Sequence, residues 1–190
     1  MTATTIAIVG AGPGLGMSIA RRFGAEGHRV ALISRRQGRL DGLAAERLGP
    51  VEVLEYSPLP AREFMKPILE TTVDDVRGPL EFSVLGAVSA ARAVIGPMLD
   101  AGRGTILFTT GGAAINPYAL RAGVGISFAG EVAYARMLHD EVADRGVHVA
   151  HTAVAGRIAP GEDHEPADIA EVLWRHHTER DGFQTRVGMD

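Results

Sequence analysis

The sequence predicts an α/β fold: one doubly wound, parallel sheet in a single domain over residues 1–190, lacking one edge strand. Three observations lead there. The apolar run Ile6-Ala7-Ile8-Val9 ends in a glycine-rich stretch, Gly10-Ala11-Gly12-Pro13-Gly14-Leu15-Gly16. Short apolar runs then alternate with longer amphipathic stretches, the pattern of parallel strands joined by crossover helices. Hydrophobic residues make up 46% of the chain and charged residues 22%, the balance of a globular domain rather than a disordered one.

Residues 6–9 read as a buried strand, because the run is apolar throughout and stops at glycine. A helix follows over about 13–26, with Pro13 in its first turn, Ile19, Ala20 and Phe23 as its apolar stripe and Gly27 at its end. Residues 30–33 form a second strand; Leu40, Leu43, Ala44 and Leu48 then suit a short amphipathic helix. Residues 51–54 make a third strand, closed by the turn at Pro58 and Pro60. Thr71 or Thr72 caps a long helix to about residue 99, with a kink expected at Gly78-Pro79. A fourth strand covers 105–109, and Gly111-Gly112 and Asn116-Pro117 mark the loop after it. A helix over about 125–145, a fifth strand at Val147–Val154, a helix opened by Pro166 and a short strand at Gln184–Val187 complete the chain.

Composition narrows the function. The chain has no cysteine, which excludes disulfides, thiolate-held zinc and thiol catalysis. A formal net charge of −4 argues against nucleic acid or an anionic membrane as partner. No run approaches the roughly 20 apolar residues of a membrane span, and the first five residues carry no basic leader, so a cytoplasmic location is expected. Six of the histidines form no metal-binding pair on one helix face, and no metal site is expected.

The glycine stretch carries the chemistry. It follows a strand and opens a helix, so free amides and the positive helix pole face whatever binds there. Glycine lets the backbone turn sharply and approach a pyrophosphate closely, which marks the sheet as Rossmann-type. Gly10, Gly12, Pro13, Gly14, Leu15 and Gly16 are therefore the expected phosphate cradle. An acidic residue at the end of the second strand would bind the 2′-hydroxyl of NAD(H); here Ser34-Arg35-Arg36 stands instead, suited to the 2′-phosphate of NADP(H).

The spacing Gly10-x-x-x-Gly14-x-Gly16 resembles the glycine pattern of the short-chain dehydrogenases/reductases. The likeness runs over roughly residues 5–177: Pro50-Val51-Glu52-Val53-Leu54 resembles the strand before that family's Asn-Asn-Ala-Gly motif, and Gly104-Thr105-Ile106-Leu107-Phe108-Thr109-Thr110 its catalytic-serine strand. The helix with Phe82-Ser83-Val84-Leu85-Gly86 resembles its central interface helix, and the stretch from Val147 to Ala155-Gly156 the strand before its Pro-Gly turn. The resemblance implies further cofactor contacts at Tyr56, Ser57, Pro58, Thr109 and Gly156. Active members work with Ser, Tyr and Lys, helped by Asn, the Tyr and Lys four apart on one helix. Aligned here, Ile126 takes the tyrosine position, Gly130 the lysine, Ser83 the asparagine, and Thr110 keeps the only hydroxyl at the serine position. Tyr118, in the loop after the fourth strand, is a candidate replacement donor, so Thr110, Tyr118 and Ser83 are the candidate catalytic residues.

The expected function is an NADP(H)-binding oxidoreductase with a degenerate catalytic set, acting on a small molecule. Two alternatives stay open: a catalytically silent NADP-binding module, and a fold repurposed for non-redox chemistry such as isomerisation or cyclisation. Between the second and third strands, Ala45-Glu46-Arg47-Leu48-Gly49-Pro50 runs straight on and leaves no room for the strand and helix the family places there, and the short segment from Gly156 to Pro166 implies an open site. Small residues on the helices at 72–99 and 125–145 (Ala87, Ala90, Ala91, Val94, Ala129, Val132 and Ala133) suit a homodimer or homotetramer.

Overall fold

The computed structural model describes residues 4–33 and 50–189. The helix expected around 40–48, the missing strand expected beside it, and Ser34, Arg35 and Arg36 lie outside the described residues. Within them, the elements run β1 (Thr5–Val9), α1 (Leu15–Ala25), β2 (Arg29–Ile33), β3 (Val51–Tyr56), α2 (Val73–Ala101), β4 (Gly104–Gly111), α3 (Ala122–Val142), β5 (Val147–Val154), α4 (Pro166–Glu179) and β6 (Gln184–Val187).

All six strands are parallel, in the order β2-β1-β3-β4-β5-β6. Every residue of β1 and β5 is buried. Helices therefore cover both faces, and strand alternation divides the core in two. Ile6, Ile8, Val53, Leu107 and Ala150 pack with Ile19 and Phe23 of α1 and with Ala170 and Leu173 of α4. Ala7, Val9, Leu54, Tyr56, Ile106 and Phe108 pack with Ala87, Ala90, Ala91, Val94 and Met98 of α2 and Ala135 of α3. β2 is the outer strand among the described residues, with Leu32 exposed.

The helix ends follow from local chemistry. α1 starts one residue after Gly14, so Pro13 precedes the helix rather than sitting in its first turn. It stops at Gly27, whose φ of +90° only glycine adopts freely. There Gly27 N–H donates to Gly24 O and His28 N–H to Phe23 O, a Schellman motif. α2 is capped by Thr72, not Thr71: the Thr72 hydroxyl accepts from Asp75 N–H, and the Asp75 carboxylate accepts from Thr72 N–H.

The irregularity expected at Gly78-Pro79 is a wide π-turn at Glu81–Leu85, just past Pro79. Its cause lies on the neighbouring strand. The Tyr56 hydroxyl donates to Phe82 O at 2.5 Å, taking the carbonyl that Gly86 N–H would use in an α-helix. Gly86 N–H reaches back to Glu81 O instead. A Cβ on Gly86 would lie 2.1 Å from the Tyr56 hydroxyl. α2 is also long and apolar enough, by length and composition alone, to cross a membrane, a test that the core helix of a soluble protein passes as well. Its stripe Ala87, Ala90, Ala91 and Val94, assigned above to a partner interface, is core packing against the sheet, because those positions recur at the spacing that faces it.

Gly86→Ala is expected to lower stability by about 1–3 kcal/mol through overpacking, and Tyr56→Phe in the same chain to relieve much of that loss. Urea unfolding of the two single variants and the double variant reads the coupling; strictly additive effects would remove the hydroxyl as the cause of the π-turn.

Candidate functional site

The four glycines of the first turn divide into two kinds. Gly10 has φ +97°, and a Cβ there would lie 2.5 Å from Pro58 Cα. Gly16 would place its Cβ 2.8 Å from Ala11 Cα. Both are glycine because backbone packs against them. Gly12 and Gly14 differ: the nearest atom to a Cβ on either is a carbonyl oxygen at 4.0 Å, Gly10 O and Ile158 O respectively. No side chain caps α1, and no acidic residue stands in its first turn. Bare backbone, open space and an unneutralised helix pole fit a pyrophosphate. Pro13 is exposed between these glycines, and Leu15 turns its side chain to the core, leaving its backbone to the cradle.

The end of β3 closes against this loop. Ser57 N–H donates to Val9 O, and Gly10 and Ala11 N–H both donate to Ile33 O, so the turn is tied to β1, β2 and β3 together. Tyr56, expected to contact cofactor, instead points into the core and the π-turn, because strand alternation turns it to the α2 face. Glu55 points the other way and is fully buried. It accepts from Ser57 Oγ at 2.9 Å and from Thr109 Oγ1 at 3.1 Å, which commits both hydroxyls. Burial pushes the Glu55 carboxyl up to about 8, opposed by the two hydroxyl bonds.

Among the described residues, no hydrogen bond joins the three candidate catalytic side chains to one another. Thr110, at the carboxyl end of β4, pairs with His151 Nε2 at 2.8 Å. Ser83 lies in the π-turn and donates to Glu131 of α3. Glu131 is buried with Oε1 unpartnered, and burial raises its carboxyl to about 8. Tyr118 is half exposed with the Arg121 guanidinium 5.5 Å from its ring centre.

The helix face differs from the alignment made on sequence. Ile126 is exposed and Gly130 faces Val84 of α2. Val124 and Phe128, also four apart, are the positions turned inward, packing with Ala113, Phe64, Met65 and Phe82. The Phe128 ring lies 3.4 Å from where a Cβ on Gly111 would stand. The shift of two residues rotates the helix face by about 200°, more than a half-turn. Gly156 has φ +111° and abuts Asp163, whose carboxylate accepts from Arg157 N–H at 2.7 Å. The segment after it is folded down: Ile158 bridges His164, and His164 Nε2 donates to Ala155 O. No group of three potential metal ligands occurs among the described residues.

Glu55, Glu131 and Val124 were missed on sequence, His151 was weighed there only as a metal ligand, and Phe128 was expected to line an apolar pocket with Ile126. An acid or imidazole inside a continuous apolar strand run was the available signal for Glu55 and His151. Each neutral carboxyl makes stability pH-dependent. Folding raises the Glu55 pKa above its ordinary 4.5, so its contribution is whole below that value and lost as pH rises towards 8. Glu55→Gln is expected to remove a slope of up to about 1.4 kcal/mol per pH unit, read by urea unfolding between pH 5 and 8; an unchanged slope would contradict a protonated Glu55.

Comparison with known proteins agrees with this geometry. A family model described as short chain dehydrogenase matches residues 43–161, more than half of the chain. No curated protein matches the sequence. Among solved structures, a halohydrin dehalogenase bound to ethyl (2S)-oxiran-2-ylacetate is 18% identical, with a TM-score of 0.84 over 97% of this chain and 95% of that one. L-Sorbose reductase from Gluconobacter frateurii, complexed with NADPH and L-sorbose, is 16% identical, with a TM-score of 0.84 over 98% and 95%. A short chain dehydrogenase/reductase family oxidoreductase from Brucella ovis, with a partially ordered NAD, is 19% identical, with a TM-score of 0.76 over 98% and 100%. The parallel sheet, the glycine turn at its carboxyl end and the family match together establish that the chain belongs to the short-chain dehydrogenase family.

Proposed function

We propose that this protein binds a nicotinamide dinucleotide, NADP(H) in preference to NAD(H), as an oxidoreductase that uses the Thr110 hydroxyl, not a phenol, toward its small-molecule substrate. The observation that carries the reading is the open space at Gly12 and Gly14 beside the uncapped start of α1. These backbone groups would hold the pyrophosphate, and Ser34, Arg35 and Arg36 supply charge for a 2′-phosphate. The cofactor, when bound, supplies or takes the hydride. The protein's part is to bind it, orient the substrate oxygen at Thr110 and exclude water with the apolar group of Val124, Phe128 and Ala113.

That same apolar group favours a second reading. Hydrocarbon at Val124 and Phe128 moves no proton, as suits a dinucleotide-binding protein without turnover or one that runs isomerisation or cyclisation. Leu85, Ile126 and Met137 stay exposed on α2 and α3, and we assign this face to a second copy of the chain, in a dimer or tetramer. A cytoplasmic location, without nucleic-acid or membrane partners, belongs to the same reading.

Calorimetric titration with NADPH and with NADH tests it. Micromolar NADPH binding is expected, weakened on the order of tenfold by Arg35→Ala, with NADH little affected. Absence of binding to either nucleotide would overturn the reading. With binding in hand, NADPH consumption in the presence of aldehydes and ketones supports the oxidoreductase, and its absence across such a panel supports the second reading.

A further inference from the structure

Four side chains on three adjacent strands form a continuous hydrogen-bonded row behind Thr110. Arg186 Nε lies 3.3 Å from Gln184 Oε1 on β6, Gln184 Nε2 lies 3.0 Å from His151 Nδ1 on β5, and His151 Nε2 lies 2.8 Å from Thr110 Oγ1 on β4. Each direction follows from the first. A guanidinium only donates, so Gln184 Oε1 is an acceptor and its NH₂ faces the ring. His151 Nδ1 must therefore carry the lone pair, and the proton of the neutral ring sits on Nε2. Nε2–H then donates to Thr110 Oγ1. The imidazole is wholly buried, and desolvation lowers it to about 4, so it stays neutral in that single form at neutral pH.

One consequence concerns the hydroxyl. With the His151 Nε2–H on one lone pair of Oγ1, the Thr110 proton cannot turn to the ring and must find its acceptor elsewhere. The resting acceptor for that proton is Gly111 O at 3.4 Å, a long bond that is easily exchanged. We propose that His151, held by Gln184, is a positioning residue that denies the Thr110 proton an acceptor in the ring and leaves it for the ligand, so that the site favours a ligand group that accepts a hydrogen bond, such as a carbonyl oxygen. The inference rests on the reading above that Thr110 meets the substrate. Neither His151 nor Gln184 belongs to the glycine cradle, so cofactor binding and this row can fail separately.

The test is the tautomer of His151, read by long-range ¹H–¹⁵N correlation in the full-length, ¹⁵N-labelled protein. The wild-type ring is expected to be protonated on Nε2. Gln184→Glu puts a carboxylate opposite Nδ1 and is expected to invert the ring to Nδ1–H, which forces Thr110 to donate to Nε2. NADPH titration of the same variant is expected to be unchanged, which separates this row from the cradle. With benzaldehyde or cyclohexanone as probe and NADPH consumption as readout, Gln184→Glu is expected to lose on the order of 10²-fold in rate, as does Thr110→Val, since each removes one donor. Gln184→Ala, which leaves Nδ1 without its donor, serves if the glutamate variant does not fold, and is expected to yield a mixture of tautomers. Protonation on Nδ1 in the wild type, a ring unmoved by Gln184→Glu, or full rate in an inverted ring would each overturn the proposal.

Discussion

Everything at the carboxyl end of the sheet depends on one close approach, that of Gly10 to the Ser57-Pro58 backbone. A Cβ at Gly10 would stand inside van der Waals contact with both residues, and the positive φ is one that other residues adopt only at a cost. Because the contact exists, β3 runs on beside β1, Gly10 and Ala11 N–H both reach Ile33 O, and the chain turns straight into α1. The start of α1 is thereby aimed past the carboxyl end of the sheet, and among the described residues nothing comes nearer than 4.0 Å to a Cβ built on Gly12 or Gly14. Binding space here follows from backbone packing, with no side chain needed to shape it.

Below that cradle the polar groups are tied to one another rather than left to solvent. Glu55 holds Ser57 and Thr109; Glu131 holds Ser83; His151 holds Thr110. Burial keeps both carboxyls protonated and the imidazole neutral near pH 7, which avoids isolated buried charge. The Tyr56 hydroxyl joins the same logic by holding the Phe82 carbonyl and opening the π-turn that carries Ser83. Packed beside these pairs is a buried apolar group: Val124, Phe128 and Ala113, with Phe64 and Phe82 against them.

The fold was legible because its determinants are local and periodic. Apolar runs ending in glycine gave β1 and β5, and the β-α alternation gave a parallel sheet. The site was legible only where backbone conformation is the signal, as at Gly10 and Gly16. Rotation about a helix axis was not: an offset of two residues separates Ile126 and Gly130 from Val124 and Phe128, and only packing against Gly111 and Ala113 fixes it. Nor could sequence show that Ala87, Ala90 and Ala91 face the sheet, since small residues suit a core and an interface equally. The Thr110 row joins residues 110, 151, 184 and 186, and strand register alone brings those together.

The central claim is that the turn's glycines serve two masters, Gly10 the fold and Gly12 the ligand. Thermal unfolding and NADPH affinity measured side by side for Gly10→Ala and Gly12→Ala test it most directly. The expected result is a large loss of thermal stability for Gly10→Ala, and near wild-type stability with much weakened NADPH binding for Gly12→Ala. Equal destabilisation by both substitutions, or undiminished NADPH affinity in a stable Gly12→Ala protein, would contradict it.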